Sequence, residues 1–392
     1  MTPNQASGAA DCACTQVLFV TNFVSHYRVP VFEQLAERHG FRFVLISRGG
    51  EEYWQKHLGV SSANIPFKVM AGKAILPKFT LNIPFLIEVF GSPYDVIIKG
   101  TNGRFELPVA WLASRFRRRP FILWTGLWEH PTAGIHRFTR PMLRHIYRRA
   151  NAIVTYGEHV AEYVVKEGAE RGKVFVAENA VDNVSFSRPS ELETVRGIRV
   201  QCASKRGDIL LLAVSRLVQQ KGLEILIRAV ALLESPRPTV AVVGTGPLAQ
   251  SLVKLAEQLG VRLCLLGGYA AHDMVEAYDA ADIFVMPSIT TAQVKETWGL
   301  ACNEAMCRSL PVVATTAVGA AAGGLVVDHV TGLVVPERDA QALSDAIRSL
   351  IEDPEKRRIL GENGRDRVAS TTPEAMVAAF KAAVDYVCGD AG

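Results

Sequence analysis

A chain of 392 residues is too long for one core of ordinary size, so two domains of somewhat under about 200 residues each are expected. With 49% apolar and 21% charged residues, the composition excludes a disordered chain and calls for a well-filled interior. The net charge of +4 conceals an asymmetry: residues 1–188 carry 23 Lys and Arg against 15 Asp and Glu, and the remainder 20 against 24, which points to an anionic partner or surface at the N-terminal half, or else to an unevenly charged solvated surface.

The first residues have no basic region ahead of their apolar run, so neither a secretory signal nor a transmembrane helix is expected. From residue 16 short apolar runs alternate with longer amphipathic stretches. "QVLFVTN" reads as a strand, "RVPVFEQLAER" as a helix, and "FRFVLISR" and "YDVIIKGT" as strands. "ELPVAWLASRF" follows as a helix, "PFILWTG" and "ANAIVTYG" as strands, "HVAEYVVKEG" as a helix and "KVFVAENAV" as a strand. Strands without polar alternation are covered on both faces, the mark of a parallel sheet wrapped by helices. A polar, charged stretch then reads as a linker with room for one short helix, and the pattern restarts at "ILLLAVSRL". It continues through "GLEILIRAVALLE", "TVAVVGTG", "PLAQSLVKLAEQLG", "VRLCLLGG", "HDMVEAYDAA", "DIFVMPS", "GLACNEAMCRS", "LPVVATT" and "GLVVP" to C-terminal helices. The expected fold class is α/β: two doubly wound parallel-sheet (Rossmann-like) domains facing across a cleft, over 14–188 and 208–372, joined by a linker at 189–207. The helix at 373–392 could return to the first domain. Seven cysteines (Cys12, Cys14, Cys202, Cys264, Cys302, Cys307, Cys388) form no paired zinc-type spacing, so reduced thiols in a cytoplasmic protein without a bound metal are expected.

Doubly wound domains bind ligands at the carboxyl ends of their strands, which singles out the residues just after each apolar run of the second series. After its first strand, "SRLVQQKG" places Arg216 and Lys221 around the turn into a helix, where they suit a diphosphate or form an exposed basic pair. After the second strand, Gly244 and Gly246 of "GTGPL" permit close backbone approach, although Ala249 stands where a dinucleotide fingerprint has its third glycine. In "KETWGLACNEAM" (residues 295–306) the amides of Thr297, Trp298, Gly299 and Leu300 would open a helix near Gly299, in a position suited to phosphate. Glu296 and Glu304 flank that turn. Eight residues of continuous helix span about 12 Å, beyond the roughly 5–10 Å between paired hydrolase carboxylates, so the two are expected to grip opposite ends of an elongated ligand such as a sugar nucleotide.

The ordered set "SRLVQQKGLEILIRA", "VVGTGPL", "LLGGY", "AYDAADIFVMPS", "ETWGLACNEAM", "LPVVAT" and "HVTGLVVP" resembles the retaining GT-B glycosyltransferases of family 4, over nearly all of residues 209–350. "NFVSHYRVPVFEQLA", "TNGRFELPVAWLASRF" and "ENAVDNVSF" resemble bacterial members that build cell-surface or lipid-linked glycans, which makes Asn102 an acceptor-site candidate. The resemblance implies a UDP- or GDP-linked sugar as co-substrate, no metal ion, and a front-face transfer in which the leaving phosphate oxygen takes the acceptor proton. It implies that Arg216 and Lys221 neutralise the diphosphate, that Glu304 accepts from the ribose hydroxyls and Glu296 from the sugar, and that the loop at Gly267 and Tyr269 meets the base. Three positions depart from the family pattern. Ser215 replaces a common Gly, "NFVSHYR" replaces a Gly-Gly pair, and Gly126 replaces a His whose role Glu129 or His130 could take. The Ala- and Gly-rich segment 317–324 also lacks a Glu common before "TGL".

In the basic N-terminal half, Arg137, Arg140, Arg144 and Arg148 fall three or four apart on one helix face, with Pro141 as an interruption or a start. Such a face suits an acceptor phosphate or an anionic membrane, giving a peripheral position on its inner side, or is simply solvated. No aromatic-basic module accompanies it, so nucleic acid is not expected. The acceptor is expected to be a glycan, a lipid phosphate or a small molecule. Phosphorolysis or epimerisation on the same fold, or a nucleotide-dependent oxidoreduction resting on "VVGTGPL", are the competing chemistries.

Overall fold

Two runs of strands without polar alternation become two all-parallel sheets, each covered on both faces by the intervening helices. The computed structural model describes residues 16–47, 65–76, 79–103, 105–134, 136–202 and 207–389. In the first domain β1 (Val17–Thr21), α1 (Val29–His39), β2 (Phe41–Leu45), β3 (Phe67–Val69) and the small antiparallel hairpin β4 (Lys73–Leu76) and β5 (Phe79–Leu81) lead to α2 (Ile83–Gly91). There follow β6 (Val96–Gly100), α3 (Glu106–Phe116), β7 (Phe121–Thr125), α4 (His136–Arg149), β8 (Ala152–Thr155), α5 (Glu158–Lys166) and β9 (Val174–Val176). The strand order is β3-β2-β1-β6-β7-β8-β9, so the winding reverses between β1 and β6.

After α6 (Asn183–Phe186) and α7 (Leu192–Gln201), the second domain runs β10 (Leu210–Val214), α8 (Leu223–Ala231), β11 (Thr239–Val243), α9 (Ala249–Leu259), β12 (Leu263–Gly267), α10 (Met274–Asp279) and β13 (Ile283–Met286). It closes with α11 (Ala301–Cys307), β14 (Val312–Thr315), α12 (Gly319–Ala322), β15 (Leu333–Val335), α13 (Ala340–Glu352) and α14 (Pro354–Val368). Its order β12-β11-β10-β13-β14-β15 reverses between β10 and β13. Helix ends carry their own signals: α1 stops at Gly40 in the left-handed region (φ 66°), and Asp339 and Asp353 accept from the amides of Ala342 and Lys356 at the starts of α13 and α14.

The segment read as a linker is largely α7, packed on α10, with Ile198 and Cys202 inside the second domain's core. Pro141 lies within α4 rather than at either end of it. Cys388 is disulfide-bonded, against the expectation of reduced thiols throughout, while Cys202, Cys264, Cys302 and Cys307 are free. Among the described residues no helix is long and apolar enough to cross a membrane.

The last helix, α15 (Pro373–Gly389), crosses back onto the first domain and packs on α1, β8 and β9. Phe380 is fully buried there, its ring 5.4 Å from Phe19 and 5.7 Å from Trp124. Truncating such a ring leaves a cavity as well as losing transfer energy, so Phe380→Ala should lower unfolding stability by about 3–5 kcal/mol in denaturant titration. A loss below about 1 kcal/mol would show that α15 does not hold the first domain's core in solution.

Candidate active site

The reversal in the second sheet leaves a crevice beyond the carboxyl ends of β10 and β13, and the side chains there are the ones an open α/β sheet presents to ligand. From β10 the chain passes through Arg216 into a short turn at residues 219–221, which delivers Lys221. That turn is set by Gly222, at φ 63°: a Cβ there would lie 1.9 Å from the carbonyl oxygen of Pro287, so only glycine lets the turn lie against the end of β13. Sequence reasoning singled out Lys221 and passed over the glycine that aims it. Gly244 and Gly246 also allow close approach, but to the chain itself. Their added Cβ atoms would meet Ser215 O at 1.9 Å and Leu217 O at 2.5 Å, and the two loops are joined by Leu217 N donating to Thr245 O at 2.9 Å.

Lys221 forms an ion pair with Glu296, and Ser288 Oγ lies 3.4 Å from the same carboxylate oxygen. Arg216 is close by: burial lowers its pKa and the Glu296 carboxylate opposes that shift. Two cations and one carboxylate therefore meet at the switch point. The backbone of Glu296 is fixed as well, its carbonyl accepting from Trp128 Nε1 of the first domain at 2.9 Å and from Gly319 N at 3.1 Å. Lys295 stacks 4.0 Å above the Trp128 ring and reaches Glu129 at 3.1 Å, and the amides of Thr132 and Ala133 both donate to Ala292 O at 3.0 Å. His159, whose pKa burial pushes down to about 4, is neutral near pH 7 and lies with Nε2 3.3 Å from Thr297 O.

Between the domains lies a cavity of about 280 Å³. The second domain lines it with Lys221, Glu296 and residues 297–301, placing Thr297, Gly299 and Leu300 on the wall. Trp298 contributes only part of its frame. Its side chain is fully buried and donates from Nε1 to Asn303 Oδ1 at 2.8 Å, and Asn303 in turn donates to Asn179 O of the first domain at 3.1 Å. Helix α11 starts at Ala301, later than expected, because Gly299 sits at φ 100° against Met286 and Val318.

The opposite wall holds a residue that sequence reasoning missed. Arg28 follows β1 and is buried under a cage of rings, its guanidinium carbon 4.2 Å from the Trp124 centroid, 5.2 Å from Tyr156 and 5.3 Å from Tyr27. Nη2 donates to Tyr156 Oη at 3.0 Å and Asn179 Oδ1 at 3.3 Å, while Nη1 is buried without a hydrogen-bond partner among the described residues. The only hint in the sequence was a cation after the first strand, inside the "NFVSHYR" that departs from the family pattern.

Glu304 stands apart from this cluster. It faces Tyr278, which donates to Oε2 at 2.6 Å, and burial raises the carboxyl from the usual 4.5 to about 7 although the tyrosine bond opposes the shift. Tyr269 lies on the far edge of the sheet, near Cys202, Cys264 and Asp273. In the first domain, His130 places Nε2 2.6 Å from His136 O on α4 rather than on the cavity wall. Asn102 is held by the buried Lys99, whose ammonium donates to Asn102 O at 2.6 Å and Oδ1 at 3.0 Å. Burial brings that lysine down to about 7, with Glu106 opposing. On α4, Arg140 and Arg144 converge on the buried Glu167 at 2.5 and 3.5 Å, and Arg148 packs over Gly168. The side chain of Arg137 lies outside the described residues. Among the described residues no group of three His, Cys, Asp or Glu side chains is arranged to hold a metal ion.

Comparison with known proteins agrees with this architecture. The family profile described as "Glycosyl transferases group 1" matches residues 196–367, and that described as "Glycosyltransferase Family 4" matches residues 32–184. A GDP-mannose-dependent monoacylated alpha-(1-6)-phosphatidylinositol monomannoside mannosyltransferase of Corynebacterium glutamicum is 35% identical over 158 residues, 39% of this chain and 41% of that protein, so the match spans under half of the relative's length. A D-inositol 3-phosphate glycosyltransferase of Corynebacterium urealyticum is 28% identical over 330 residues, 78% of this chain and 72% of that one. The solved structure of Anabaena HepE in complex with UDP and glucose superposes with a TM-score of 0.75 at 21% identity, covering 95% of this chain and 99% of that one, a likeness of fold. With two parallel-sheet domains of the GT-B type and both family profiles in their proper halves, the chain belongs to the group 1 glycosyltransferases of glycosyltransferase family 4.

Proposed function

We propose that this glycosyltransferase is a retaining hexosyltransferase that takes a sugar from a UDP- or GDP-linked donor and passes it to a glycan, lipid-linked or phosphorylated small-molecule acceptor at the cytoplasmic face of a membrane. The observation that carries this reading is the convergence of Arg216, Lys221 and Glu296 at the β10–β13 switch point. A diphosphate bound there meets two cations, of which Lys221 is paired with Glu296, and its arrival shifts Lys221 from Glu296 to phosphate. Glu296 is then released to accept from hydroxyls of the transferred sugar. As the anomeric C–O bond to the diphosphate breaks, the leaving oxygen gains charge, Arg216 and Lys221 stabilise it, and it accepts the proton of the acceptor hydroxyl that bonds to the same face of the sugar. Side-chain cations fill the role a divalent ion plays elsewhere, so EDTA should leave turnover unchanged. Relatives named for GDP-mannose and for phosphatidylinositol and inositol-phosphate substrates, and a fold relative crystallised with UDP, support the donor and acceptor classes.

The direct experiment incubates the protein with UDP- and GDP-sugars, with and without a lipid-phosphate extract, and follows nucleotide release. No release from any donor, together with no thermal shift by UDP or GDP, rules the reading out. Variants separate the roles. Lys221→Ala removes a charged contact to phosphate and should weaken nucleoside diphosphate binding on the order of 10- to 100-fold in calorimetry. Glu304→Ala should weaken the same binding through the ribose. Glu296→Ala frees Lys221, so it should leave diphosphate affinity unchanged or tighter while lowering sugar transfer; equal affinity losses in both glutamate variants would refute this division. Glu304 also leaves a pH signature. Because its native carboxyl keeps a proton between about 4.5 and about 7 that the unfolded chain has lost, the native state binds the excess proton and stability falls as pH rises through that window. Glu304→Gln removes that dependence, so thermal melts should show it raising the midpoint more at pH 8 than at pH 5, and an equal change at both would count against a buried, proton-retaining Glu304.

A further inference from the structure

Helices α2 and α3 lie side by side on the first domain, and their outward faces join into one apolar stripe. On α2 the exposed large side chains are Ile83, Leu86, Ile87 and Phe90, spaced by three and four, and no exposed residue of that helix carries a polar side chain. Its single charge, Glu88, is buried and paired with Lys68 at 3.3 Å. Helix α3 adds Leu112, 60% exposed, and Phe116, 80% exposed, with the Phe116 ring 5.8 Å from Phe90. The charges at this edge are cationic: Arg115 on the same stripe and Arg118 just beyond it are exposed, whereas the only other carboxylate of the two helices, Glu106, is buried.

From this juxtaposition we propose that the α2–α3 stripe is a docking face for an anionic lipid bilayer, with the side chains of Ile83, Leu86, Ile87, Phe90, Leu112 and Phe116 entering the headgroup boundary and Arg115 and Arg118 meeting lipid phosphates. A water-facing pair of neighbouring helices gains nothing from six exposed large apolar side chains, and a patch of this kind marks an interaction surface. A hydrocarbon boundary accepts such a stripe without a complementary shape, and a basic rim adds attraction to anionic headgroups. A second copy of the chain fits less well, because a twofold contact through this face would bring its arginines toward one another. The stripe is also placed to serve the cleft. At its upper end Asn82 caps α2 through Phe85 N at 3.1 Å and donates to Glu106 Oε1 on α3 at 3.1 Å, beside the loop at the carboxyl end of β6. By contrast α4, the basic helix prominent in the sequence, turns Arg140 and Arg144 onto Glu167.

Flotation of the full chain with phosphatidylcholine vesicles, with and without about one-third phosphatidylglycerol, tests this without requiring turnover, so a failure here leaves the transferase reading standing. Wild type should float only with the anionic vesicles. Ile87→Glu with Phe116→Glu should reduce bound protein to below about a tenth of wild type, and Arg115→Gln with Arg118→Gln should cost about five-fold per arginine, each with melting temperature and UDP or GDP thermal shift retained. Arg144→Gln with Arg148→Gln on α4 should bind vesicles as wild type does. Vesicle binding that survives the double glutamate variant, that is lost through α4 instead, or that wild type lacks overturns the proposal. So does a wild-type dimer, or an acidic protein partner, that Phe116→Glu dissociates while vesicle binding stays unchanged.

Discussion

Glu296 is fixed at both of its ends, and the two halves of the molecule meet through it. Its carboxylate is held by Lys221 from the second domain, and its carbonyl by the Trp128 indole from the first and the Gly319 amide from the second. A residue restrained in this way cannot follow one domain without the other. Any opening of the cleft must break the Trp128 bond or carry residues 290–297 with it. The Lys295 contacts to Trp128 and Glu129, and the amides of Thr132 and Ala133 on Ala292 O, act on the same loop and in the same direction. The carboxylate that governs Lys221 is thereby tied to the relative position of the two sheets.

The charged groups on the two walls of the cavity differ in their state of satisfaction. Lys221 and Glu296 neutralise one another, whereas Arg28 is held by aromatic faces and has a guanidinium nitrogen without a hydrogen-bond partner among the described residues. A buried cation with an unmet donor carries a desolvation cost that the rings offset only in part. Such a group raises the local positive potential without adding a mobile side chain, and an anion entering the cavity would be favoured by it even without direct contact. Lys99 shows the other solution for a buried ammonium: three backbone and side-chain oxygens surround it, and its lowered pKa reflects burial that those contacts do not fully offset.

The two sheets were readable because fully buried parallel strands lack polar alternation, and β1, β6, β7, β10, β11 and β13 fall where such runs occur. The three-residue β3 and the hairpin β4–β5 have no such signal. Helix α2 was invisible for a more specific reason: its outward side is apolar as well as its inward side, so "IPFLIEVFG" lacks the polar face that marks a surface helix. At the site, Arg216, Lys221 and Glu296 were accessible because each follows a strand of the switch. Arg28 was not, since its character comes from Trp124 and Tyr156, about 100 residues away and more, which only the fold assembles. The environment of Glu304 was hidden likewise, because the hydroxyl that meets it belongs to Tyr278 on another helix.

The positive excess of the N-terminal half resolves into groups with different work. Arg28 is internal, Arg117 donates to Val89 O and Ser92 O and stacks on Tyr94, and Arg140 and Arg144 share Glu167, whose carboxyl Arg140 holds below its usual range. These arginines bind the domain to itself, and little of their charge is left to act at a distance. Arg115 and Arg118 remain outward, beside the apolar stripe. That stripe is not mechanically isolated from the cleft. Asn82 joins the N-termini of α2 and α3 by bonding both Phe85 N and Glu106, Gly103 lies tight against the same Glu106, and Lys99 anchors Asn102 one residue earlier. A force on the outer face of α2 is therefore transmitted through two side-chain contacts to residues 100–103, at the carboxyl end of β6 where the first sheet reverses its winding.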